Sequence, residues 1–399
     1  MLLLVLLLGL PDFCRRIRRP GLLYPAYILA GVVAGALMDA GAIAVWREIG
    51  QFGFILLLFS VGLEIELPGK RETLVALWRG ALWMGWQVPL LVGLAWVSGV
   101  PMGEAVVAAL ALAGTSVGMA YHLWEAHRFA DTTARTQFLE WIVAIEVTAI
   151  LALAAAGPVM GGAVWWIVLI KLAGVVSAAV LAAVLAVRGA PRLVHWLERG
   201  LHVQVHFVVL LLFGIAALGE RLGLSAPKTA FVLGMFISRS THEEAGLSHR
   251  LEPIRDRLFV PVFFFGLGTL VEPRMFLSVV FAGAVAAALL MFFLRREIFR
   301  RMFAPALRAA PPAHVISLPV LTIAAVAVEV LARSGASGEA ITWTLAAGLC
   351  LTLIAAVLPV TELGPLARTE PATVAPEVWS GIEEGQDARR SGDDVSDAR

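Results

Sequence analysis

Leu112-Ala113-Gly114-Thr115-Ser116-Val117-Gly118 stands in the middle of an apolar segment long enough to cross a membrane, and Ile316-Ser317-Leu318-Pro319-Val320-Leu321-Thr322 stands in the middle of another. Glycine, serine and threonine weaken a helix, and Pro319 removes a backbone donor and clashes with the turn before it. Non-helical backbone at membrane depth is tolerated only where it is buried in protein or lines a wet cavity. Two interrupted helices at matching places in two halves of a chain are the sequence pattern of a midplane transport site. Gly114-Thr115-Ser116-Val117-Gly118 also matches the G-x-S-x-G nucleophile elbow. That motif works only on a strand-to-helix turn with an acid and a histidine as partners, which a membrane helix does not provide.

The surrounding composition is that of a membrane protein. Of 399 residues, 59% are hydrophobic and 15% charged, against about 45–50% and about 25% in an ordinary soluble chain. So much apolar surface excludes a soluble enzyme and a disordered scaffold, and a net charge of +1 gives no basic stripe for nucleic acid. Cys14 and Cys350 form neither a disulfide framework nor a metal-ligand spacing. A crossing needs about 20 apolar helical residues. Breaking the chain at Gly/Pro and charge clusters predicts an all-α polytopic protein of about 13 transmembrane helices. They run over 1–12, 21–38, 49–67, 75–98, 104–124, 136–156, 163–187, 202–219, 225–239, 256–271, 275–294, 312–332 and 340–362. The first is short. It precedes Arg15, Arg16, Arg18 and Arg19, the reverse of a signal peptide's order.

Loops after odd-numbered spans hold 21 Lys and Arg, and loops after even-numbered spans hold 5. Under the positive-inside rule this predicts an N-terminus outside, a C-terminus in the cytoplasm, and a multi-pass protein of the cell (inner) membrane. Trp46, Trp78, Trp124, Trp141 and Trp165 lie near span ends, as interfacial anchors do. Residues 364–399 are polar and acidic and read as a disordered cytoplasmic tail after a transmembrane domain of residues 1–363. Spans 4–6 and 11–13 each contain one interruption and start with opposite orientation, as an inverted repeat requires.

Ionisable groups inside the bilayer are costly, about 2.5–3.5 kcal/mol on insertion scales, and mark function by default. Glu146, in Trp141-Ile-Val-Ala-Ile-Glu146-Val-Thr148, lies deep in the sixth span. Burial disfavours the charged form of a carboxyl group, so a proton and a hard cation compete for it. Lys171 in the seventh span suits structural pairing with a carboxylate or snorkelling. Glu64, Glu66, Glu272 and Glu329 lie near span ends, and Glu140 near the start of the sixth span. His122 and His206 have no second metal-type residue at i+4 and read as packing histidines. No clustered Ser/His/Asp or His/Glu set supports an intramembrane enzyme, and no cofactor is implied.

These residues resemble the monovalent cation:proton antiporter-2 family, which includes Kef-type proteins and sodium/proton exchangers. The likeness runs from about residue 15 to 362. Tyr27-Ile28-Leu29-Ala30-Gly31 is similar to the family's second-helix signature, with Gly35-Ala36 where Gly-Pro is usual. Phe54-Ile55-Leu56-Leu57-Leu58-Phe59-Ser60-Val61-Gly62-Leu63-Glu64-Ile65-Glu66-Leu67 resembles the end of its third helix. Leu224-Ser225-Ala226, Gly234, Ser238, Glu252-Pro253-Ile254-Arg255-Asp256, Phe263-Phe264-Phe265 and Gly268 resemble its ninth and tenth. The resemblance implies a homodimeric, 13-helix antiporter with spans 4–6 and 11–13 as the ion-binding core and spans 1–3 and 7–10 as the dimerisation part. It puts Gly114, Thr115 and Ser116 at one helix crossover and Pro319 and Thr322 at the other.

In the sixth span the family's pair, two aspartates or a polar residue and an aspartate, falls on Ile145 and Glu146. One carboxyl group makes one-for-one, electroneutral exchange the natural stoichiometry. The family's basic residue of the eleventh span has no counterpart within 275–294. Arg295 and Arg296, at its cytoplasmic end, are the candidates, and water in a loop accounts for their charge. The expected function is exchange of Na+ or K+ for H+ by alternating access, the cation held by Glu146, Thr115, Ser116 and Thr148. The same departures open a second reading, a non-transporting membrane sensor or scaffold on the antiporter fold, and a third, a passive cation channel.

Overall fold

The structure, a computed structural model, describes residues 9–14, 16, 22–64, 70–117, 119–120, 132–160, 210, 212–217, 226–238, 255–302 and 313–358. The chain divides into two units, Met1–Pro359 and Val360–Arg399, and all described residues belong to the first. Lys171, the seventh span, most of the eighth, His122, His206, Glu66 and the acidic tail lie outside the described residues.

Among the described residues every regular element is helical. The helices are α1 Leu23–Leu37, α2 Ala40–Glu64, α3 Lys70–Val97, α4 Met102–Leu112 and α5 Thr132–Met160. They continue with α6 Ala226–Ser238, α7 Val260–Gly268, α8 Val279–Met302, α9 Ala313–Ile316, α10 Leu321–Arg333 and α11 Gly338–Val357. A π turn at Arg255–Phe259 enters α7, and a 3-10 turn at Pro273–Leu277 enters α8. Among the described residues five segments are long and apolar enough to cross a membrane: Ala40–Ser60, Trp78–Val97, Val279–Arg301, His314–Arg333 and Gly338–Val357. The helix of the eleventh predicted span continues beyond residue 294 to Met302.

Polar side chains set several of the helix ends. The Ala42 N–H donates to Asp39 Oδ2 at the start of α2. Ser337 caps α11 by accepting from the Ala340 N–H, and its own hydroxyl and N–H donate to Glu104 on the first turn of α4. That carboxylate therefore ties the start of α4 to the start of α11. Gly99 and Gly335 take positive φ values, 97° and 70°, in the turns after α3 and α10.

The helices pack in two groups: α1, α2, α6 and α7 against one another, and α3, α4, α5, α8, α10 and α11 against one another. The groups touch more thinly, through α7 against α10 and α1 against α11. Glycine makes the first group tight. A Cβ on Gly31 would lie 2.0 Å from the Phe265 carbonyl oxygen, one on Gly53 2.2 Å from that of Phe259, and one on Gly234 2.3 Å from that of Phe59. Small residues at such crossings bring backbones into contact, which replaces the hydrophobic drive that a lipid solvent does not supply. Gly31→Leu is therefore expected to destabilise the protein by about 1–3 kcal/mol. Gly93→Leu, where a Cβ meets open space, is expected to stay within about 0.5 kcal/mol of wild type. Thermal unfolding in detergent measures both.

Candidate functional site

The chain leaves helical geometry after Leu112 and resumes it at Val117, and it does the same between Ile316 and Leu321. The two extended stretches cross and bond to each other. The Ser116 N–H donates to the Pro319 carbonyl at 2.7 Å, and Thr115 Oγ1 donates to the Ser317 carbonyl at 3.0 Å. Thr322 Oγ1 donates to Ser116 Oγ. Gly114 is needed for the approach: a Cβ there would lie 2.6 Å from Ile323 Cδ1 and 3.0 Å from Ala149 Cβ. Gly114, Thr115, Ser116, Pro319 and Thr322, expected at two crossovers, are thus one buried cluster.

Breaking two helices in a membrane orphans backbone carbonyls at the end of each half-helix. Arg295 serves them. Its Nη2 donates to the carbonyls of Leu112 at 2.5 Å and Gly114 at 2.8 Å, and its Nη1 to that of Ser317 at 2.6 Å. Its Nε donates to Gln87 Oε1 at 2.9 Å, and Gln87 in turn donates to the Trp83 carbonyl. The Trp83 indole takes another carbonyl, that of Ala113, at 3.1 Å, and its ring lies 5.7 Å from the guanidinium carbon. A cation at two helix C-termini opposes the partial negative charge that gathers there. Arginine's planar fork reaches several acceptors at once, which a lysine ammonium does not.

Glu146 meets the opposite pole. The Val117 N–H, at the start of the resumed helix, donates to Glu146 Oε2 at 3.0 Å, and the residue is 1% exposed. A carboxylate there faces the partial positive charge of a helix N-terminus. Carbonyl ends on Arg295 and an amide end on Glu146 divide the crossing into two complementary halves. Ile145, beside Glu146, is buried and apolar.

Two sequence expectations need correction. Arg295 is 0% exposed, inside α8 and at the crossing, not in water at a helix end. Arg296 is exposed, because neighbours on a helix diverge by about 100°. Thr148 is not brought to the cluster: its hydroxyl donates to the Ala144 carbonyl and packs on α3, where a Cβ at Gly80 would lie 2.4 Å from it. Residues two apart on a helix do not face the same way, so Thr148 and Glu146 point apart. Sequence reading missed Trp83 and Gln87. Gln87 carried a usable signal, an amide in mid-span that must find partners in a bilayer.

The fold and this crossing define a class: multi-pass membrane proteins organised around two interrupted helices that bond to each other. A family model described as sodium/hydrogen exchanger, transmembrane, matches residues 2–368. The Na(+)/H(+)-K(+) antiporter GerN of Bacillus cereus is 28% identical over 269 residues, 64% of this chain and 67% of GerN. The glutathione-regulated potassium-efflux system protein KefC of Salmonella typhimurium is 30% identical over 293 residues, which are 67% of this chain and 45% of KefC. The alignment therefore spans less than half of that relative's length. The solved structure of the sodium proton antiporter MjNhaP1 from Methanocaldococcus jannaschii superposes with a TM-score of 0.63 at 14% identity, over 90% of this chain and 94% of that one, a likeness of fold. The chain belongs to the sodium/hydrogen exchanger family, a family of cation/proton antiporters, in keeping with the resemblance read from its motifs.

Arg295→Met leaves the Leu112 and Gly114 carbonyls and Gln87 Oε1 without this donor, while the Ser317 carbonyl keeps Thr115, and is expected to cost on the order of 3–5 kcal/mol. Arg295→Lys, which keeps the charge but not the fork, should fall between Met and wild type, and Arg296→Lys should be neutral. Melting temperatures of the purified variants rank them.

Proposed function

We propose that this protein exchanges Na+ or K+ for H+ across the cell membrane, one for one, with Glu146 as the group that proton and cation share. The observation that carries the reading is the buried Glu146 carboxyl group at the crossing, bonded to the Val117 N–H. A single acid held there can be neutralised by a proton or by a hard cation, and hard cations take oxygen ligands. Ser116 and Thr322 place hydroxyl oxygens in the same buried cluster. Thr115 contributes differently, since its hydroxyl already donates to the Ser317 carbonyl and so latches the two stretches together. The names of GerN and KefC, an Na+/H+–K+ antiporter and a potassium-efflux protein, support a monovalent cation as cargo.

Arg295 is a fixed positive charge, present in both halves of the cycle. The group that carries Glu146 therefore has the same net charge whether it holds a proton or a cation. Net transport then moves no charge, and Ile145 supplies no second proton. The group of α3, α4, α5, α8, α10 and α11 is the moving core. The group of α1, α2, α6 and α7 is the frame, which serves as the dimer-forming part of a homodimer. Taking Arg295 out of the cytoplasmic tally leaves the arginine bias strongly on the same side, and the N-terminus outside and C-terminus inside.

In proteoliposomes with an interior pH dye, wild type should move protons in response to Na+ or K+ gradients, and the rate should not change when a membrane potential is imposed. Glu146→Gln keeps an oxygen acceptor for the Val117 N–H, so it should fold and melt near wild type while exchange is abolished. Undiminished exchange by that variant would place the shared group elsewhere. Absence of wild-type exchange with Na+, K+ and Li+ would favour the non-transporting scaffold.

A further inference from the structure

Between the frame helix α7 and the core helix α8 the chain passes through Thr269–Ser278, a direct covalent link between the two groups. Both ends of this link are fixed, each to a different group. At the frame end, Thr269 Oγ1 donates to the Gly266 carbonyl at 2.7 Å and accepts from Arg47 Nε at 3.0 Å, while Arg47 Nη2 donates to the Thr269 carbonyl at 2.9 Å. Gly35 of α1 seats the same residue: a Cβ on it would lie 3.2 Å from Thr269 Cα. At the core end, Ser278 Oγ accepts from the Phe281 N–H at 3.2 Å and donates to the Met275 carbonyl at 2.6 Å, capping α8.

Between these anchors Val271 is buried and Phe276 packs edge-on against Phe281 of α8, but the turn from Glu272 to Arg274 is exposed. Glu272 and Arg274 pair with each other in solvent, and Leu277 is 95% exposed. Rotation of one packed group against another is absorbed at a few loop or helix-end positions. Backbone contacts at Gly31 and Gly53 brace α7 in the frame, and α8 packs along α11 in the core. That leaves the exposed turn at Glu272–Arg274 to take up the rotation.

From this we infer that Arg47 is a positioning residue: it clamps the last turn of α7 and so fixes where the hinge between frame and core begins. The half-buried guanidinium, 222 residues away in sequence, spends both of its bonded nitrogens on the one residue where helix gives way to link. A cation there also opposes the partial charge of the α7 C-terminus. Without it the terminal turn can unwind into the link, which lengthens the tether and loosens the coupling between the groups.

The inference rests on the exchange reading above, and its test separates the two. Hydrogen–deuterium exchange of the full chain in detergent should show faster uptake at the amides of Thr269, Leu270 and Val271 in Arg47→Ala. These amides donate to the carbonyls of Phe265, Leu267 and Gly268. In proteoliposomes the same variant should lose maximal exchange rate severalfold with the half-saturating cation concentration unchanged, and Arg47→Lys should recover part of the rate. Unchanged uptake at 269–271 would overturn the inference. So would a shift in half-saturation matching the loss of rate, or an Arg47→Lys variant no better than Ala. If wild type itself shows no exchange, the exchanger reading fails, and deuterium uptake alone then decides whether Arg47 holds the helix end.

Discussion

One guanidinium holds the centre of this molecule together. Breaking two helices inside a bilayer strands carbonyl groups in a medium with no water to satisfy them, and Arg295 answers for both breaks from a third helix. The cost of burying a charge is met by several strong acceptors aligned with two helix dipoles rather than by a lone counter-ion. Gln87 and Trp83, on a fourth helix, lock the guanidinium's orientation, and the Trp83 indole takes a further carbonyl, that of Ala113. The crossing is thus defined by α3 and α8, the first helices of the two triplets, as much as by the broken helices themselves.

With the carbonyl side met by a guanidinium, the amide side is met by an acid. Glu146 approaches the Val117 N–H from α5, and a carboxyl group there has an acceptor's role whether or not it also carries cargo. Ser116, Thr322 and Thr115 already have partners across the crossing. A cation entering this cluster would exchange one set of oxygen contacts for another, without first stripping unpaired groups of water. Glu104, bonded to Ser337, ties the start of α4 to the start of α11.

How much of this was legible in the sequence depended on whether the signal was local. The interruptions at 112–118 and 316–322 were readable because Gly, Ser, Thr and Pro act on their own turn of helix. Glu146 was readable because depth alone makes a carboxylate conspicuous. Arg295 was not. It sits next to Arg296, and two adjacent arginines look like the end of a span, yet the helix continues and turns one inward and the other outward. Thr148 failed for the complementary reason: closeness in sequence to Glu146 places it on another face. Trp83 was hidden among tryptophans that anchor spans at the interface, and only the Ala113 carbonyl above it shows that its indole is spent inside.

The acceptors at the crossing have a further consequence. Arg295, Trp83 and Thr115 donate there to main-chain oxygens, those of Leu112, Ala113, Gly114 and Ser317. Every residue has such an oxygen, so the names of the residues at 112, 113 and 317 are constrained by size and fit but not by this bonding. The side-chain donors lack that freedom, since each needs a polar hydrogen at one place. Mutational drift in this region should therefore be lopsided, with positions 112, 113 and 317 tolerating change in what they are called while Arg295 and Trp83 on the straight helices beside them keep the letters that make the breaks survivable.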